Sequence, residues 1–206
     1  MRERQKRGDA KRTEIMEIAR SEFMSAGYNA TSMSTIAAEV GGSKGTLYNH
    51  FRSKEELFSA IICEDCSNTL ETMFDIVANA PTVDSALREL GKALISKLLS
   101  PESLTLLWLI AAESQRFPEL GRTFYESGPR EGGRRIAETL KAAMERGELR
   151  EADPEIAAAH FKSLCIGDLH MRHLLGVAQD TSPDYIAERV DTAVDVFMRA
   201  YGPEKT

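Results

Sequence analysis

The sequence predicts an all-α fold of about nine helices, and three observations support this prediction. Along most of the 206 residues, apolar side chains recur every three or four positions, which is the spacing of an amphipathic helix. Capping residues followed by proline, or by glutamate three positions later, recur between short turns and mark helix starts. No segment alternates apolar and polar residues as a half-buried strand does, and no repeat period or low-complexity linker is present.

The first helix is predicted over Thr13 to Ala26, because its apolar residues share one helical face and Gly27 follows as a stop signal. The twelve residues before it hold six basic and two acidic side chains. We interpret this basic N-terminal segment, residues 1–12, either as a solvated extension or as an arm that contacts a polyanion.

Two short helices are predicted next. Thr31 or Ser32 can cap the second helix, which contains Met33, Ile36, Ala37 and Val40 and ends at Gly41-Gly42. Ser43 can cap a third helix over Lys44 to His50.

A longer fourth helix is predicted from Ser53 to about Ala78. Ser53 and Glu56 form a capping box, in which each side chain accepts from the backbone amide of the other. Proline follows a capping residue at Ser100, Asp153 and Ser182, where its missing amide costs nothing. The remaining helices are predicted over Val83 to Leu99, Pro101 to Arg116, Pro118 to Ser127, Arg130 to Arg146, Pro154 to Leu175 and Pro183 to Tyr201.

Charge divides the chain into two parts. Residues 1–55 hold ten Lys or Arg and seven Asp or Glu, whereas residues 56–206 hold sixteen and twenty-five. A basic end on a chain of net charge −6 indicates a module that faces a polyanion, joined to a body with another task. We therefore predict one domain over residues 1–55 and a larger helical domain over residues 56–206.

Several classes of protein are disfavoured by composition and motifs. Three cysteines fit a reducing compartment, and no signal peptide or membrane span is visible, so we expect a soluble cytoplasmic protein without a membrane partner. No phosphate-binding loop, nucleophile elbow or zinc-binding motif is present, so we predict neither an enzyme nor a bound metal or cofactor. Glu113 is the one carboxylate inside an apolar run; it suits a chemical role, a pairing with Arg116 or a cationic effector.

Residues 31–51 have the features of a helix-turn-helix. Two short helices meet at a tight turn that contains glycine, and the second begins with polar residues. Leu47 and Phe51, four positions apart, anchor one face of the third helix and leave its other face free. A compact corner of this kind can present that helix to the major groove of DNA.

The N-terminal quarter of the chain resembles the TetR family of transcriptional regulators. The residues that carry the resemblance are the helix Ile15 to Phe23, Gly27-Tyr28, Thr31-Ser32-Met33, Ile36-Ala37, the run SKGTLYNHF from Ser43 to Phe51, and Lys54-Glu55-Glu56-Leu57. Residues 101–176, with the run AAESQRFPELGRTFYESGP, are similar to the C-terminal domain of the AefR-like branch. The resemblance implies a homodimeric, all-helical regulator, most simply a repressor, that binds a pseudo-palindromic operator and responds to a small molecule.

The resemblance also implies which side chains contact DNA. Asn49 can read a base edge, Lys44 and Lys54 can bind phosphate, and Tyr48 and His50 can bind phosphate or pack on sugar and thymine methyl groups. The full set is Thr31, Ser32, Ser34, Lys44, Gly45, Thr46, Tyr48, Asn49, His50 and Lys54. The alternative is that Tyr48 or His50 packs inside the module and that the serines only cap helices. By charge alone, the basic N-terminal segment can add contacts along the backbone or in the minor groove.

The C-terminal domain supplies candidates for effector binding and dimerisation. The candidates for a pocket that takes a hydrophobic or aromatic effector are Trp108, Glu113, Phe117, Phe124, Tyr125, Phe161 and Met171, with Met144 nearby; ordinary core packing is the alternative. The last two helices carry small residues, and the resemblance implies that they form the dimer as a four-helix bundle; the same residues suit an intramolecular pair.

Two other functions stay open at this stage. Cys63 and Cys66 have CxxC spacing within the predicted fourth helix, which permits a thiol-sensing regulator but supplies too few ligands for zinc. A helical scaffold with non-specific DNA affinity is the other alternative, although it leaves the helix-turn-helix without a purpose.

Overall fold

Helices make up most of the described chain. The computed structural model describes residues 2–41, 43–78, 80–177 and 180–203, and the side chains of this part except those of residues 2–7. Within those ranges it contains eleven α-helices, one π-helical turn and no strand, which confirms the all-α prediction. The helices are α1 Arg2–Ala26, α2 Met33–Glu39, α3 Lys44–His50, α4 Lys54–Val77, α5 Val83–Leu98, α6 Pro101–Glu113, α7 Pro118–Tyr125, α8 Glu131–Glu145, α9 Pro154–Ile166, α10 Leu169–Leu174 and α11 Pro183–Tyr201, and the π-helical turn is Glu126–Arg130.

Helix α1 begins eleven positions earlier than predicted. The backbone of residues 2–12 is helical; Arg, Lys, Glu and Gln favour a helix there, whereas Gly8 and Asp9 are weaker helix formers. Lys11 donates to the carbonyl of Val40 at 3.3 Å, and the Arg12 guanidinium lies 4.9 Å from the centre of the Phe51 ring. The basic N-terminal segment is therefore part of a helix; the side chains of Arg2, Arg4, Lys6 and Arg7 lie outside the described residues.

Most predicted helix starts are confirmed. The side chains that accept backbone amides at helix starts are those of Ser32, Ser43, Ser100, Asp153 and Ser182. Ser53 accepts from the amide of Glu56 at 3.1 Å, but the Glu56 carboxylate accepts from the amide of Arg52 at 2.8 Å rather than from Ser53. The predicted capping box is thus half correct.

The prediction of one continuous helix from Pro154 to Leu175 is wrong, because the helix is interrupted at Gly167. Gly167 has a φ of +49° and separates α9 from α10. Arg189 of α11 donates to the carbonyls of Cys165 and Ile166 at 2.9 and 3.0 Å, which satisfies the end of α9. The positive φ of Gly167 strains any L side chain, and a Cβ there would also displace the Arg189 guanidinium, so glycine is favoured at this position.

The chain forms two compact units. The first unit comprises Met1–Cys66 and Thr105–Tyr125, and the second comprises Ser67–Leu104 and Glu126–Thr206. The core of the first unit is built on buried aromatic and aliphatic side chains that include Phe23, Tyr28, Leu47, Phe51 and Phe58. In the second, Leu87, Leu140, Phe161, Val190 and Phe197 lie at the centre. These units follow packing, whereas the division at residue 55 follows charge and remains a functional proposal.

Within the described residues, no single helix is both long enough and apolar enough to cross a membrane. Only α5 and α6 together have the required length and composition, and that pair is bent by 62°.

Candidate DNA interface

Helix α3 has a buried apolar face and an exposed polar face. Leu47 and Phe51 are each 1% exposed and hold the helix in the core of the first unit, as predicted. On the other face, Lys44, Gly45 and Asn49 are exposed, and Tyr48 keeps 48% of its surface in solvent. Thr46 and His50 are half-buried. Tyr48 therefore does not pack inside the module. The His50 side chain is partly buried and partly exposed to solvent.

The start of helix α2 divides the predicted hydroxyl contacts into two kinds. Ser32 caps α2 by accepting from the amide of Thr35 at 3.0 Å, and both Ser32 and Ser34 are exposed. Thr31 is only 2% exposed, and its hydroxyl lies 2.9 Å from the carbonyl oxygen of Gly27. The structure thus gives Thr31 a role in the turn before α2, away from the solvent where a phosphate would bind.

Lys54 has internal partners rather than a free ammonium group. Its Nζ donates to the carbonyls of Tyr28 and Thr31 at 2.7 and 3.0 Å and lies 4.2 Å from the centre of the Tyr28 ring. Burial lowers the pKa of Lys54, with the nearby carboxylates of Glu55 and Glu113 opposing that shift. Lys54 therefore ties the start of α4 to the turn between α1 and α2, which accounts for it without a phosphate contact.

Asn29 was not among the predicted site residues, because no local pattern marks it. Its Nδ2 donates to Oε1 of Glu113 at 2.6 Å, and its Oδ1 accepts from Arg116 at 3.4 Å. Glu113 is 9% exposed, so a carboxylate in an apolar run did predict a partner. Pairing with Arg116 was one of the alternatives for Glu113; in the structure Asn29 lies between the two residues and contacts both.

The predicted effector residues serve different purposes. Phe161 is enclosed in the core of the second unit against Phe197, with ring centres 5.8 Å apart, and Met144 packs on the same core. Phe117 packs edge-on against Tyr28 in the first unit, and Phe124 packs on the same core. The exposed members are Trp108, Tyr125 and Met171. Core packing thus accounts for Phe161 and Phe117, and the set is divided between the two units.

The three cysteines and His160 differ in their surroundings. Cys63 is exposed and Cys66 is buried on α4, and none of the three cysteines, all of them described, forms a disulfide. Burial raises the pKa of the Cys165 thiol to about 12, so that thiol stays protonated. His160 shares a hydrogen bond of 2.6 Å with the Tyr201 hydroxyl. Within the described residues, no three His, Cys, Asp or Glu side chains come together as a metal site.

Comparison with known proteins identifies the family. A family model described as bacterial regulatory proteins of the tetR family matches residues 15–61, and the model of the AefR-like transcriptional repressor C-terminal domain matches residues 85–203. The chain belongs to the TetR family. The TetR model spans the helices α2 and α3, so the exposed face of α3 lies within the family's helix-turn-helix.

Relatives along most of the chain agree with this assignment. A solved structure from Mesorhizobium loti, assigned to the TetR family, is 31% identical and covers 95% of this chain and 98% of its own, with a TM-score of 0.86. The flavonoid-responsive regulator FrrA is 32% identical, with coverage of 96% and 100% and a TM-score of 0.79. The regulator UidR of Escherichia coli K12 is 28% identical over 155 residues, 75% of this chain and 76% of UidR.

TetR-family proteins are DNA-binding transcriptional regulators that act as dimers, and the family does not consist of enzymes. The predicted class of function is therefore confirmed: this protein is a helix-turn-helix regulator of transcription.

Proposed function

We propose that this TetR-family protein is a ligand-responsive repressor that binds a pseudo-palindromic operator as a homodimer. The observation that carries the proposal is the geometry of α3, in which buried Leu47 and Phe51 fix a helix whose exposed face holds Lys44, Tyr48 and Asn49. A rigid polar face of this kind suits insertion into the major groove.

The exposed side chains of the first unit have complementary chemistry toward DNA. Asn49 can donate and accept at an adenine edge, and the Lys44 ammonium suits a phosphate. Tyr48 can donate to a phosphate or pack on a thymine methyl group. The remaining proposed contacts are Ser32 and Ser34 at the start of α2, and Gly45, Thr46 and His50 of α3.

Dimerisation is proposed through the last two long helices, α9 and α11. The small residues Ala157, Ala158 and Ala193 are buried within the chain's own core, so they serve packing inside one subunit. Exposed apolar residues are better candidates: Ile156 and Leu164 on α9 and Val196 on α11. Burying such side chains against a second copy removes apolar surface from water.

The effector is proposed to be a small hydrophobic or aromatic molecule bound by the domain over residues 56–206. The name of FrrA states that it responds to flavonoids, which makes ligand responsiveness a reasonable expectation for a relative at 32% identity. An effector releases the operator when it binds more tightly to a conformation in which the two α3 helices no longer match the half-sites.

The test is selection of bound sequences from a random duplex pool with the full-length protein. We expect a pseudo-palindrome whose affinity exceeds that of a scrambled duplex by about a thousandfold or more. A salt titration on both duplexes is the control, because non-specific binding is steeply salt-dependent. Equal affinity for both duplexes would contradict the proposal and favour the scaffold with non-specific DNA affinity.

A further inference from the structure

The turn that leads into the helix-turn-helix is held by two separate elements. The turn, residues 27–32, begins at Gly27, which has a φ of +87°, and ends at Ser32, which caps α2. Lys54 at the start of α4 donates to the carbonyls of Tyr28 and Thr31 within it. The second element is the segment Thr105–Tyr125, which belongs to the same compact unit although it lies far along the chain.

The segment Thr105–Tyr125 contacts the turn through hydrogen bonds and through a neighbouring pair of aromatic rings. Glu113, the last residue of α6, accepts from Asn29 of the turn at 2.6 Å, and Arg116 donates to the same Asn29 side chain. Beside Asn29, the fully buried ring of Tyr28 packs against Phe117, with ring centres 5.4 Å apart. A hydrogen bond to a carboxylate that is 9% exposed is stronger than one between neutral exposed groups.

The two partners differ in exposure, which makes this contact separable from the core. Glu113 is buried, whereas Asn29 is exposed and contributes to none of the apolar packing of the first unit. The Asn29 side chain can leave Glu113 without opening that core. Tyr28 and Phe117, in contrast, are bound to the core itself.

We propose that the contact between Asn29 and Glu113 is the point at which the segment Thr105–Tyr125 sets operator affinity. The proposal rests on the function proposed above. Glu113 ends helix α6 within the same unit as the turn, so a displacement of the end of α6 changes its contact with Asn29. Asn29 and Glu113 act as positioning residues: they hold the turn from which α2 starts, and α2 and α3 share the buried contacts of Ile36, Ala37 and Leu47.

The test measures operator affinity and stability on the same full-length variants. The variants are Asn29→Ala, Glu113→Ala and their combination, with Glu113→Gln as the conservative change that keeps an accepting oxygen. Glu119→Ala, at an exposed glutamate of α7, is the matched control. The dissociation constant for the selected operator is measured at a temperature at which circular dichroism shows every variant to be folded.

If the contact between Asn29 and Glu113 sets operator affinity, the variants should show a distinct pattern of dissociation constants for the operator. We expect each alanine variant to bind the operator about tenfold or more weakly, and the double variant no more weakly than the worse single one, because both remove the same contact. Glu113→Gln should stay within about threefold of the parent, and Glu119→Ala should match it.

A purely structural contact would lower the free energy of unfolding and leave the dissociation constant of the folded variants unchanged, and that result would overturn the inference. If Glu113→Ala does not fold, Asn29→Ala, at an exposed position, still distinguishes a contact that sets operator affinity from a purely structural one. A parent that selects no operator would overturn the proposed function and this inference with it, whereas parent-like affinity of Asn29→Ala would overturn the inference alone.

Discussion

Two lysines of the first unit show how position assigns different roles to the same side chain. Lys44 is exposed at the first turn of α3. Lys54 is half-buried, and its ammonium group donates to two backbone carbonyls at 2.7 and 3.0 Å. The sequence resemblance assigned phosphate contacts to both. Exposure leaves Lys44 available for the proposed contact, whereas the hydrogen bonds of Lys54 explain it by the folding of the turn.

Replacing each lysine by methionine separates these roles. Lys44→Met should reduce the slope of operator affinity against salt concentration by about one, because one phosphate contact is lost, with little change in stability. Lys54→Met should lower the free energy of unfolding by about 1 to 3 kcal/mol and leave the salt slope unchanged. Urea unfolding and salt titration measure the two quantities, and a reduced salt slope for Lys54→Met would show that Lys54 binds phosphate.

Tyr48 is the second side chain whose role is testable on its own. Tyr48→Ala should weaken operator binding about tenfold or more, because the variant lacks the exposed ring proposed to contact DNA from α3. The dimer should stay intact, since Tyr48 lies outside α9 and α11. Gel-shift titration and size-exclusion chromatography measure these properties, with Ile76→Ala, at an exposed apolar residue of α4, as the control. Parent-like affinity would mean that α3 is not the recognition helix.

At the scale of an element, the first turn of α8 is stabilised by ion pairs along one helix. Arg134 donates to the Glu131 carboxylate at 2.6 and 2.8 Å, and Arg135 donates to it at 3.1 Å. These hydrogen bonds, that of Arg134 first, lower the pKa of Glu131 from 4.5 to about 2. A carboxylate at a helix N-terminus is also favoured by the helix dipole.

The lowered pKa predicts how α8 responds to acid. The carboxylate of Glu131 contributes stability that is complete above its unfolded pKa of 4.5 and is lost as the pH falls through about 2. Glu131→Gln should therefore lower the free energy of unfolding at neutral pH by up to about 1 kcal/mol, since the pair is near the surface, and the difference should shrink below about pH 4. Urea unfolding at a series of pH values tests this, with Glu145→Gln in the last turn of α8 as the control. A difference independent of pH would contradict the assignment.

At the scale of the whole molecule, DNA binding by a dimer depends on surfaces outside the helix-turn-helix. Two half-sites are bound with high affinity only when the two copies are held together, because the second contact then forms at a high effective concentration. The exposed apolar residues of α9 and α11 are the proposed place of that contact.

Charges placed on this surface should separate the subunits. The double variant Ile156→Glu with Leu164→Glu should be a folded monomer, because both side chains are exposed in the single chain. Its specific affinity for the operator should fall by about a hundredfold or more. Analytical ultracentrifugation and gel-shift titration measure both effects. Ile76→Glu, at an exposed apolar residue of α4, is the control, and a double variant that remains dimeric would place the interface elsewhere.

Much of this protein is encoded in local sequence. Capping side chains at Ser32, Ser43 and Asp153 act on amides two or three positions away, so the starts of these helices followed from nearest neighbours. The spacing of Leu47 and Phe51 likewise predicted the buried face of α3, and with it the face left for DNA. Such features depend on interactions within one turn of helix, which a linear sequence displays directly.

Other features depend on residues that meet only in the folded chain. Asn29 and Glu113 are 84 positions apart, and the break at Gly167 depends on a guanidinium 22 positions later. Lys54 and Thr31 look like DNA contacts in a motif, yet the fold buries their polar atoms against carbonyls of the turn. The physical reason is common to all of them: a buried polar group must find a partner, and which partner lies within 3 Å is set by packing over the whole unit rather than by spacing along the chain.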